Sequence, residues 1–446
     1  MELEGRTVIV VGLGLSGVAA SRLCRTRGAR VIATDALPID QLSAEARGLD
    51  AEIVAGGHGG VPFEEADLVV VSPGVPPLAE LDAAERAGVE VIGELELAWR
   101  FCPAPVCCVG GTNGKSTTTV LAASMFELAG FRVFGGGNLG TPFSAAVDEQ
   151  WDVALLEVSS FQLERAPTFR PHVSVLLNVS EDHLDRYSGA DEYARAKGQA
   201  FVNQRIDDVA IIPVSDPVCA AQAMRGRAAV RTFGVCGDYS VEGREIVERP
   251  TGERVSLEDV ELHGWHNLLN AAAAIAAVRA FDAPIEAVLQ GLRAFRPLPH
   301  RMAYVGEVGG VHCYDDSKGT NVGAAVTALL GLEEERGVLI AGGRDKLGSY
   351  ADLVRALGRK GRAVVVIGEA AERIAGAVGG LLPVERAASM DEAVRRAAQL
   401  ARPGDAVLLS PACASFDMFE GYADRGRKFV AAVERLRGES EGGMSE

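Results

Sequence analysis

The sequence predicts an α/β protein of three domains, in which helices cover parallel sheets. Short apolar runs rich in β-branched residues alternate with helical patterns, and such alternation is typical of parallel strands joined by helices. The runs are TVIVVGL, ARVIATD, DLVVVSPG, PVCCVGG, WDVALLEV, HVSVLLNV, GVLIAGG, AVVVIG and AVLLSPA. A length of 446 residues also fits three domains, at about 150 residues each.

Two positions mark the predicted domain boundaries, near residues 96 and 296. The first follows the start of the helix-like GELELAWR, and the second lies in RPLPHR, whose prolines are typical of a linker. We therefore expect domains at 1–96, 97–296 and 297–446. Within the second domain, the hairpin-like stretch YSVEGREIVERPTGERVSLEDVELHG interrupts the alternation of strands and helices.

Composition argues against several classes of function. The net charge of −17 argues against nucleic acid or an anionic membrane as a partner, although small anionic ligands remain possible. No apolar stretch reaches the roughly 18 residues that a membrane span requires. No basic leader with a cleavage site precedes the first apolar run. The eight cysteines include no C-x-x-C pair, so we expect a reduced, cytoplasmic setting.

The first predicted strand runs into a glycine-rich loop, VGLGLSGVAAS. Gly12, Gly14 and Gly17 have the G-x-G-x-x-G spacing, which lets a pyrophosphate approach the backbone at a helix N-terminus. Asp35 ends the second strand, and the turn Ser72-Pro73-Gly74 ends a later strand and is expected to face the same sheet edge. Both NAD and UDP-sugars contain a pyrophosphate. A dehydrogenase, a UDP-binding protein and a tight turn without any ligand therefore all remain possible.

A second glycine-rich loop, GGTNGKST, follows the run APVCCV and precedes a helical pattern. Its glycines would let successive N–H groups surround phosphate oxygens, while Lys115 reaches the β- and γ-phosphates and the hydroxyl of Ser116 or Thr117 reaches Mg²⁺. The loop departs from the general phosphate-loop pattern because Val109 occupies the place of the first glycine. The candidate ATP contacts here are Gly111, Thr112, Asn113, Gly114, Lys115, Ser116 and Thr117. The alternative is a glycine turn with an exposed lysine.

Acidic residues at the ends of two later strands are candidate metal ligands. Glu157 ends the apolar run WDVALLEV, where burial of a carboxylate is costly unless a cation or hydrogen bonds meet it. NVSEDHLDRY places Asn178, Asp182, His183 and Asp185 after another predicted strand. A lone histidine is more often structural than a ligand, and His183 could be either.

Together, these and later motifs resemble those of the Mur ligase family. The motifs are GTNGKST, LEVSSFQLE, NVSEDHLDRY, HNLLNAAAA, PHR, DDSKGTN and SPACASFDMFEGYADRG. Their order and spacing are most similar to the D-glutamate-adding members, over nearly the whole chain. The phosphate loop of the family is G-T-x-G-K-[ST], so Val109 does not count against ATP. The resemblance implies a Rossmann-like N-terminal sheet, a central P-loop ATPase-type α/β domain and a Rossmann-like C-terminal domain.

The resemblance also implies an activity, that of an ATP-dependent amide ligase in peptidoglycan biosynthesis. ATP would convert the carboxylate of UDP-N-acetylmuramoyl-L-alanine into an acyl phosphate, which the amine of D-glutamate would attack. Two Mg²⁺ sites are expected. The first domain would bind UDP, with Leu15 and Ser16 near the uracil, and no nicotinamide cofactor would be needed. The implied protein is a cytoplasmic monomer with small-molecule substrates.

Individual roles are implied by the same resemblance. The catalytic residues would be Lys115, Glu157, His183 and Lys197. The metal ligands would be Ser116, Glu157, His183 and Lys197, with Lys197 carbamylated by CO₂. Further ATP contacts would be Asn267, Asn270, Arg301, Asp316 and Lys318. The UDP-substrate contacts would be Leu15, Ser16, Asp35, Ser72, Pro73, Gly74, Asn138, Ser159 and His183. The D-glutamate contacts would be Thr320, Lys346, Ser415 and Tyr422.

Two features depart from the family pattern, and three alternatives remain open. Position 422 is tyrosine where phenylalanine is common, and the loop GGRDKLGSY carries the charge pair Arg344 and Asp345. Another Mur ligase or a folylpolyglutamate-type ligase is one alternative, although the chain lacks the D-N-P-R signature of a diaminopimelate-adding enzyme. An NAD-dependent oxidoreductase is the second, and it leaves the Lys115 loop unexplained. A non-enzymatic nucleotide-binding regulator is the third.

Overall fold

The computed structural model describes residues 1–138, 140–182, 186–262, 264–345 and 348–442. These residues form three β-sheets and group into two compact units. The first unit comprises 1–179, 191–258 and 271–294 and contains the first two sheets. The second comprises 180–190, 259–270 and 295–446 and contains the third sheet.

The first sheet has five parallel strands covered by helices. In chain order the elements are β1 (Thr7–Val11), α1 (Leu15–Thr26), β2 (Arg30–Asp35), α2 (Ala44–Arg47), β3 (Glu52–Ala55), β4 (Leu68–Val71), α3 (Ala79–Arg86), β5 (Val91–Gly93) and α4 (Glu94–Phe101). The strand order is β3-β2-β1-β4-β5. The order reverses between β1 and β4, so a ligand crevice is expected at their carboxyl ends.

The second sheet has nine strands in the order β14-β13-β12-β11-β10-β9-β6-β8-β7. The elements are β6 (Val106–Gly110), α5 (Lys115–Leu128), β7 (Val133–Gly137), β8 (Val153–Glu157), α6 (Ser160–Glu164), β9 (Val173–Leu176), α7 (Ala190–Lys197), α8 (Gln199–Val202), β10 (Val209–Pro213), α9 (Pro217–Ala223), β11 (Ala229–Gly234), β12 (Tyr239–Glu242), β13 (Glu245–Glu248), β14 (Glu253–Ser256), α10 (Trp265–Arg279) and α11 (Ile285–Ala294). The predicted hairpin-like stretch forms β12 to β14, which extend the sheet by antiparallel pairs.

The third sheet has six strands in the order β15-β16-β20-β17-β18-β19. The elements are β15 (Ala303–Val308), β16 (Val311–Asp315), α12 (Val322–Leu330), β17 (Gly337–Gly342), α13 (Ala351–Lys360), β18 (Gly361–Ile367), α14 (Ala371–Val378), β19 (Val384–Arg386), α15 (Met390–Leu400), β20 (Ala406–Leu409) and α16 (Tyr422–Gly442). Only the β15–β16 pair is antiparallel in this sheet, as the structure describes it.

The predicted fold class is confirmed, because every apolar run named above contains a strand. Those strands are β1, β2, β4, β6, β8, β9, β17, β18 and β20. Most of their residues are buried whichever way the side chain points, as expected for strands with helices on both faces. The corresponding sheets differ from a purely parallel architecture only at the antiparallel additions in the second and third sheets.

The first two sheets share one hydrophobic core. Val10 of β1 and Leu156 of β8 belong to the same cluster, which Leu95 of α4 and Phe143 complete. Polar contacts reinforce this junction, since the Glu94 carboxylate accepts a 2.7 Å hydrogen bond from the Ser144 N–H. The predicted boundary near residue 96 falls inside α4, and the domain limits themselves remain a prediction. None of the helices built from the described residues has the length and hydropathy that a membrane crossing needs.

Candidate active site

The phosphate loop lies between β6 and α5, and its shape depends on two glycines. Gly111 has φ +141° and Gly114, the N-cap of α5, has φ +89°, a region that L-residues rarely adopt. A Cβ on Gly111 would also lie 3.0 Å from the Cβ of Leu177. The Lys115 ammonium donates to Gly111 O at 3.0 Å and to Thr112 O at 2.9 Å. In this conformation the Lys115 side chain therefore folds back onto the loop, over the place where a phosphate would bind.

Asn178, just after β9, fixes the other side of this loop. Its backbone oxygen accepts from Thr112 N at 3.0 Å. Its side chain accepts from Asn113 N at 2.9 Å and donates to Asn113 O at 3.0 Å. The sequence placed Asn178 at a strand end as a candidate metal ligand. The structure shows that it holds the phosphate loop through three hydrogen bonds.

Glu157, the last residue of β8, is the buried carboxylate that the sequence singled out. It is 3 % exposed, and both of its oxygens are engaged. The Ser116 hydroxyl donates to Oε2 at 2.6 Å, and the Asn138 amide donates to Oε1 at 2.6 Å. Hydroxyl and carboxylate oxygens are the ligands that Mg²⁺ prefers, so Ser116 and Glu157 fit such an ion. Among the residues that the structure describes, no three His, Cys, Asp or Glu side chains form a metal-binding group.

Lys197 lies beside the same loop, although its sequence context suggests an ordinary helix-surface lysine. It ends α7 and is 4 % exposed. Its amine donates to Gly111 O at 2.8 Å and lies 4.4 Å from the centre of the Tyr193 ring. A carbamate on this nitrogen keeps one N–H, so the bond to Gly111 is compatible with carbamylation. His183, the other implied ligand, lies outside the described residues.

A cavity of about 520 Å³ lies at the switch point between β1 and β4. The predicted substrate contacts that line it are Leu15, Ser16, Asp35, Ser72, Pro73, Gly74 and Asn138. Ser159 is not part of this lining, since its hydroxyl accepts from Gln162 N and caps α6. Gln162 and His58 also line the cavity, and neither was predicted from the sequence. Gln162 belongs to the quoted motif LEVSSFQLE, so its motif was a usable signal.

The three glycines of the first loop have different roles. Gly12 has φ +84°, and a Cβ on Gly17 would lie 1.8 Å from Gly12 O, so both are required for the turn. A Cβ on Gly14 would meet no atom within 4 Å, and Gly14 lines the cavity. The Asp35 carboxylate accepts from Leu13 N at 2.6 Å and so braces the loop. Space for a ligand thus opens at the middle glycine, at the N-terminus of α1.

Asn138 connects the cavity to the phosphate loop. It lines the cavity, and its amide donates to the carboxylate that also binds Ser116. The two candidate sites of the first compact unit are therefore adjacent. A ligand that fills the cavity can place one end next to a bound nucleotide phosphate.

In the second compact unit, three loops follow β16, β17 and β20. The loops after β16 and β20 carry the predicted residues Asp316, Lys318, Thr320 and Ser415, while Tyr422 begins α16 and Arg301 precedes β15. The Lys318 ammonium lies 3.8 Å from the centre of the Tyr422 ring, which brings a predicted ATP contact next to a predicted D-glutamate contact. Thr320 N donates to Lys318 O at 2.8 Å. Ser415 is buried on the loop after β20. Lys346 lies outside the described residues.

Arg425, which the sequence analysis did not assign, joins those three loops. It is fully buried and donates to Ser317 Oγ at 3.0 Å, to Cys413 O at 3.2 Å and to Gly342 O at 3.4 Å. Burial lowers the pKa of its guanidinium to about 10. Because a buried charge is costly without partners, Arg425 makes the geometry of all three loops depend on one another.

Three further predicted ATP contacts, Asp316, Asn267 and Asn270, form hydrogen bonds within the second compact unit. Asp316 is buried and accepts from the Ser410 hydroxyl at 2.6 Å. Burial raises the pKa of Asp316 to about 7, opposed by the Ser410 hydrogen bond and by the charge of Arg301. Asn270 donates to Asn267 Oδ1 at 3.1 Å near the start of α10.

Three family models match this chain in succession. They are the Mur ligase MurD-like N-terminal domain over residues 6–93, the Mur ligase middle domain over 109–278 and the Mur ligase glutamate ligase domain over 300–413. The UDP-N-acetylmuramoylalanine–D-glutamate ligase of Desulfosudis oleivorans is 45% identical over 453 residues, which cover 98% of each chain. The chain belongs to the Mur ligase family. None of the three models describes a dehydrogenase.

Two further comparisons place this Mur ligase among its relatives. The UDP-N-acetylmuramoylalanine–D-glutamate ligase of Geobacter metallireducens is 44% identical over 451 residues, covering 98% of this chain and 99% of that protein. The crystal structure of the UDP-N-acetylmuramate–alanine ligase of Thermotoga maritima has a TM-score of 0.59 at 19% identity. The match covers 96% of this Mur ligase and 99% of the Thermotoga chain. The second likeness supports the three-domain fold.

Proposed function

We propose that this Mur ligase joins D-glutamate to UDP-N-acetylmuramoyl-L-alanine in an ATP-dependent reaction of peptidoglycan biosynthesis. The observation that carries the proposal is the position of Asn138, between the substrate cavity and the Ser116–Glu157 pair. The choice of D-glutamate rests on two relatives that are named as D-glutamate ligases. They are 45% and 44% identical to this chain over nearly its full length. The match of the N-terminal domain to residues 6–93 speaks against a folylpolyglutamate-type ligase, which lacks a UDP-type first domain.

The reaction requires activation because a free carboxylate has no usable leaving group. Transfer of the γ-phosphoryl group of ATP to the carboxylate of the L-alanine moiety gives an acyl phosphate and ADP. The amine of D-glutamate then attacks the acyl carbon, the amide bond forms, and phosphate leaves from a tetrahedral intermediate as the nitrogen loses a proton. Positioning and neutralisation of phosphoryl charge supply most of the catalysis in such transfers.

The phosphate loop would bind ATP through residues Gly111 to Thr117. Lys115 would exchange its loop carbonyls for the γ-phosphate, and Ser116 with Glu157 would hold Mg²⁺. When bound, Mg²⁺ would neutralise charge on the transferring phosphoryl group. Carbamylated Lys197 and His183 would serve a second Mg²⁺ site, supported by the burial of Lys197 against Gly111.

The remaining contacts divide between the two compact units. The UDP-substrate would occupy the cavity at Leu15, Ser16, Asp35, Ser72, Pro73, Gly74 and Asn138, with Ser159 and His183 as further contacts. ATP would also contact Asn267, Asn270, Arg301, Asp316 and Lys318. D-Glutamate would contact Thr320, Lys346, Ser415 and Tyr422. Cytoplasmic location, a monomeric state, small-molecule substrates and no nucleic-acid partner belong to the same proposal.

Phosphate release tests this proposal directly. The full-length protein is incubated with ATP, Mg²⁺ and UDP-N-acetylmuramoyl-L-alanine, and D-glutamate, L-glutamate, D-aspartate or diaminopimelate is added in turn. We expect release only with D-glutamate, with loss of about 10²-fold or more in Lys115→Ala. Release that depends on another amino acid, or that is independent of the UDP-substrate, would contradict the proposed function.

A further inference from the structure

Arg373 of α14 holds the loop between β17 and α13 at two points. Its guanidinium donates to the carboxylate of Asp345 and, through the other terminal nitrogen, to Gly348 O at 2.9 Å. In the sequence these two partners flank residues 346–347, which lie outside the described residues. Arg373 therefore holds the described residues at both ends of this gap, Asp345 and Gly348.

Tyr350 extends this contact to a second loop. The Arg373 guanidinium lies 5.3 Å from the centre of the Tyr350 ring. The Tyr350 hydroxyl donates to Asp345 Oδ1 at 3.2 Å and is hydrogen-bonded to Cys413 Sγ at 3.3 Å. A continuous path of side chains therefore runs from Arg373 through Asp345 and Tyr350 to Cys413.

The loop after β20, which carries Ser415, is joined to the same loop through the backbone. Arg344 N donates to Ala414 O at 2.8 Å, and the two residues form a β-bridge. A Cβ on Gly343 would lie 2.1 Å from Ala414 O, so the two loops approach as closely as backbones can. Any shift of residues 343–345 would therefore displace the segment that leads into Ser415.

Burial distinguishes the Arg373–Asp345 ion pair from the exposed ion pair that Glu372 of the same helix makes. The Asp345 side chain is 7% exposed, and Arg373 is 44% exposed. Arg386, by contrast, pairs with Glu372 of α14 where the two side chains are 58% and 75% exposed. Exposed pairs contribute little to stability, so Arg386 offers a matched control with the same chemistry.

We propose that Arg373 is a positioning residue for the D-glutamate pocket. It fixes Asp345 and Gly348 in the loop after β17, and through Tyr350 and Cys413 it fixes the loop that carries Ser415. Arg373 itself does not contact the substrates. This inference rests on the proposed function and adds a residue that the sequence motifs did not include. It also gives a role to Asp345, which departs from the family pattern.

Steady-state phosphate release tests the proposal with four variants of the full-length protein. Arg373→Ala removes both hydrogen bonds, and Arg373→Lys can restore only one of them. Tyr350→Phe keeps the ring and removes the hydroxyl between Asp345 and Cys413. Arg386→Ala removes the exposed pair. The KM for D-glutamate, the KM for ATP and kcat are measured for each variant, with melting temperature as a folding check.

We expect Arg373→Ala to raise the KM for D-glutamate by about 10-fold or more, the loss of one charge-assisted contact. Arg373→Lys should give an intermediate value, Tyr350→Phe a smaller rise, and Arg386→Ala no change. The KM for ATP should stay within about 3-fold throughout. Equal changes in both KM values, or an unchanged D-glutamate KM in folded Arg373→Lys and Tyr350→Phe, would overturn the positioning role. A wild-type protein without D-glutamate-dependent release would instead overturn the proposed function, and this inference with it.

Discussion

The Ser116 hydroxyl and the Glu157 carboxylate are 2.6 Å apart at the mouth of the phosphate loop. Ser116 lies in the first turn of α5, while Glu157 ends the neighbouring strand β8. Asn138 donates to the other oxygen of the same carboxylate. The structure thus keeps a buried negative charge in place with two donors before any cation binds.

Replacement of Glu157 by glutamine should remove most activity without unfolding the protein. Glutamine keeps the size of the side chain but loses the charge, and its NH₂ group cannot accept from Ser116 or Asn138. We expect phosphate release to fall by about 10²-fold or more, as for other preorganised charge contacts. Circular dichroism should stay unchanged. Glu149→Gln, at an exposed position of the same domain, is the control and should be fully active.

Lys197→Ala should be nearly inactive and should recover part of its activity with acetate or propionate. A short carboxylate can replace the carbamate that we propose on Lys197, because the buried space next to Gly111 is vacated by the truncated side chain. Phosphate release is measured against carboxylate concentration. The control is Lys428→Ala, which alters an exposed lysine on α16. It should keep full activity, and added carboxylate should not change that activity. Full activity of Lys197→Ala would refute the assignment.

The glycines of the first loop should respond differently to alanine. At Gly14 a Cβ meets no atom within 4 Å, so Gly14→Ala should fold normally but intrude into the cavity. We expect the KM for the UDP-substrate to rise by about 10-fold, equivalent to about 1.4 kcal/mol of binding. At Gly17 the Cβ would lie 1.8 Å from a backbone oxygen. Gly17→Ala should therefore lose at least about 1–3 kcal/mol of stability. Substrate kinetics and melting temperatures are measured for both variants. The first should change mainly in Gly14→Ala and the second mainly in Gly17→Ala.

Asp316→Asn should change how stability depends on pH. Folding raises the pKa of Asp316 from 3.8 to about 7, so the native state binds more protons than the unfolded chain between those values. The stabilising effect of the protonated carboxyl is complete below pH 3.8 and is lost as pH rises through about 7. The free energy of unfolding of Asp316→Asn, taken relative to that of wild type, should therefore rise by on the order of 2 kcal/mol between about pH 5.5 and 8.

Melting curves of wild type and Asp316→Asn at about pH 5.5, 6.5 and 8 provide the measurement. Asp405→Asn is the control of opposite sign, because the paired Arg362 and a backbone hydrogen bond outweigh burial and lower the pKa of Asp405. Its effect on stability should be constant over this pH range. A difference between Asp316→Asn and wild type that does not vary with pH would refute the raised pKa.

Much of the fold could be predicted from the sequence because buried parallel strands leave a local signal. The run VIVV of β1 and the run VALL of β8 are apolar whichever side they face. Strand β7 gave no such signal, since VFGGG is poor in residues that favour strands. The last of its glycines is explained by the neighbouring strand β8, because a Cβ on Gly137 would lie 2.5 Å from Glu157 O.

The candidate site was predictable where its chemistry is local. Lys115 and Ser116 follow a glycine loop, and Glu157 is an acid at the end of an apolar run. Arg425 could not be identified in this way, because arginines are usually exposed and its partners lie on three loops far apart in the sequence. Arg373 was hidden for the same reason, since α14 is an ordinary amphipathic helix until its contacts are known.

Because the first two sheets share one core, the cavity at the switch point and the phosphate loop should unfold as one cooperative unit. A calorimeter should record them as a single transition, and a UDP ligand that touches only the cavity should protect β6 and α5 from hydrogen exchange. Cutting the chain near residue 96 would instead expose Leu95 and Phe143 on two half-cores that aggregate. A substitution that loosens this shared core should therefore weaken ligand binding at the cavity and at the phosphate loop together.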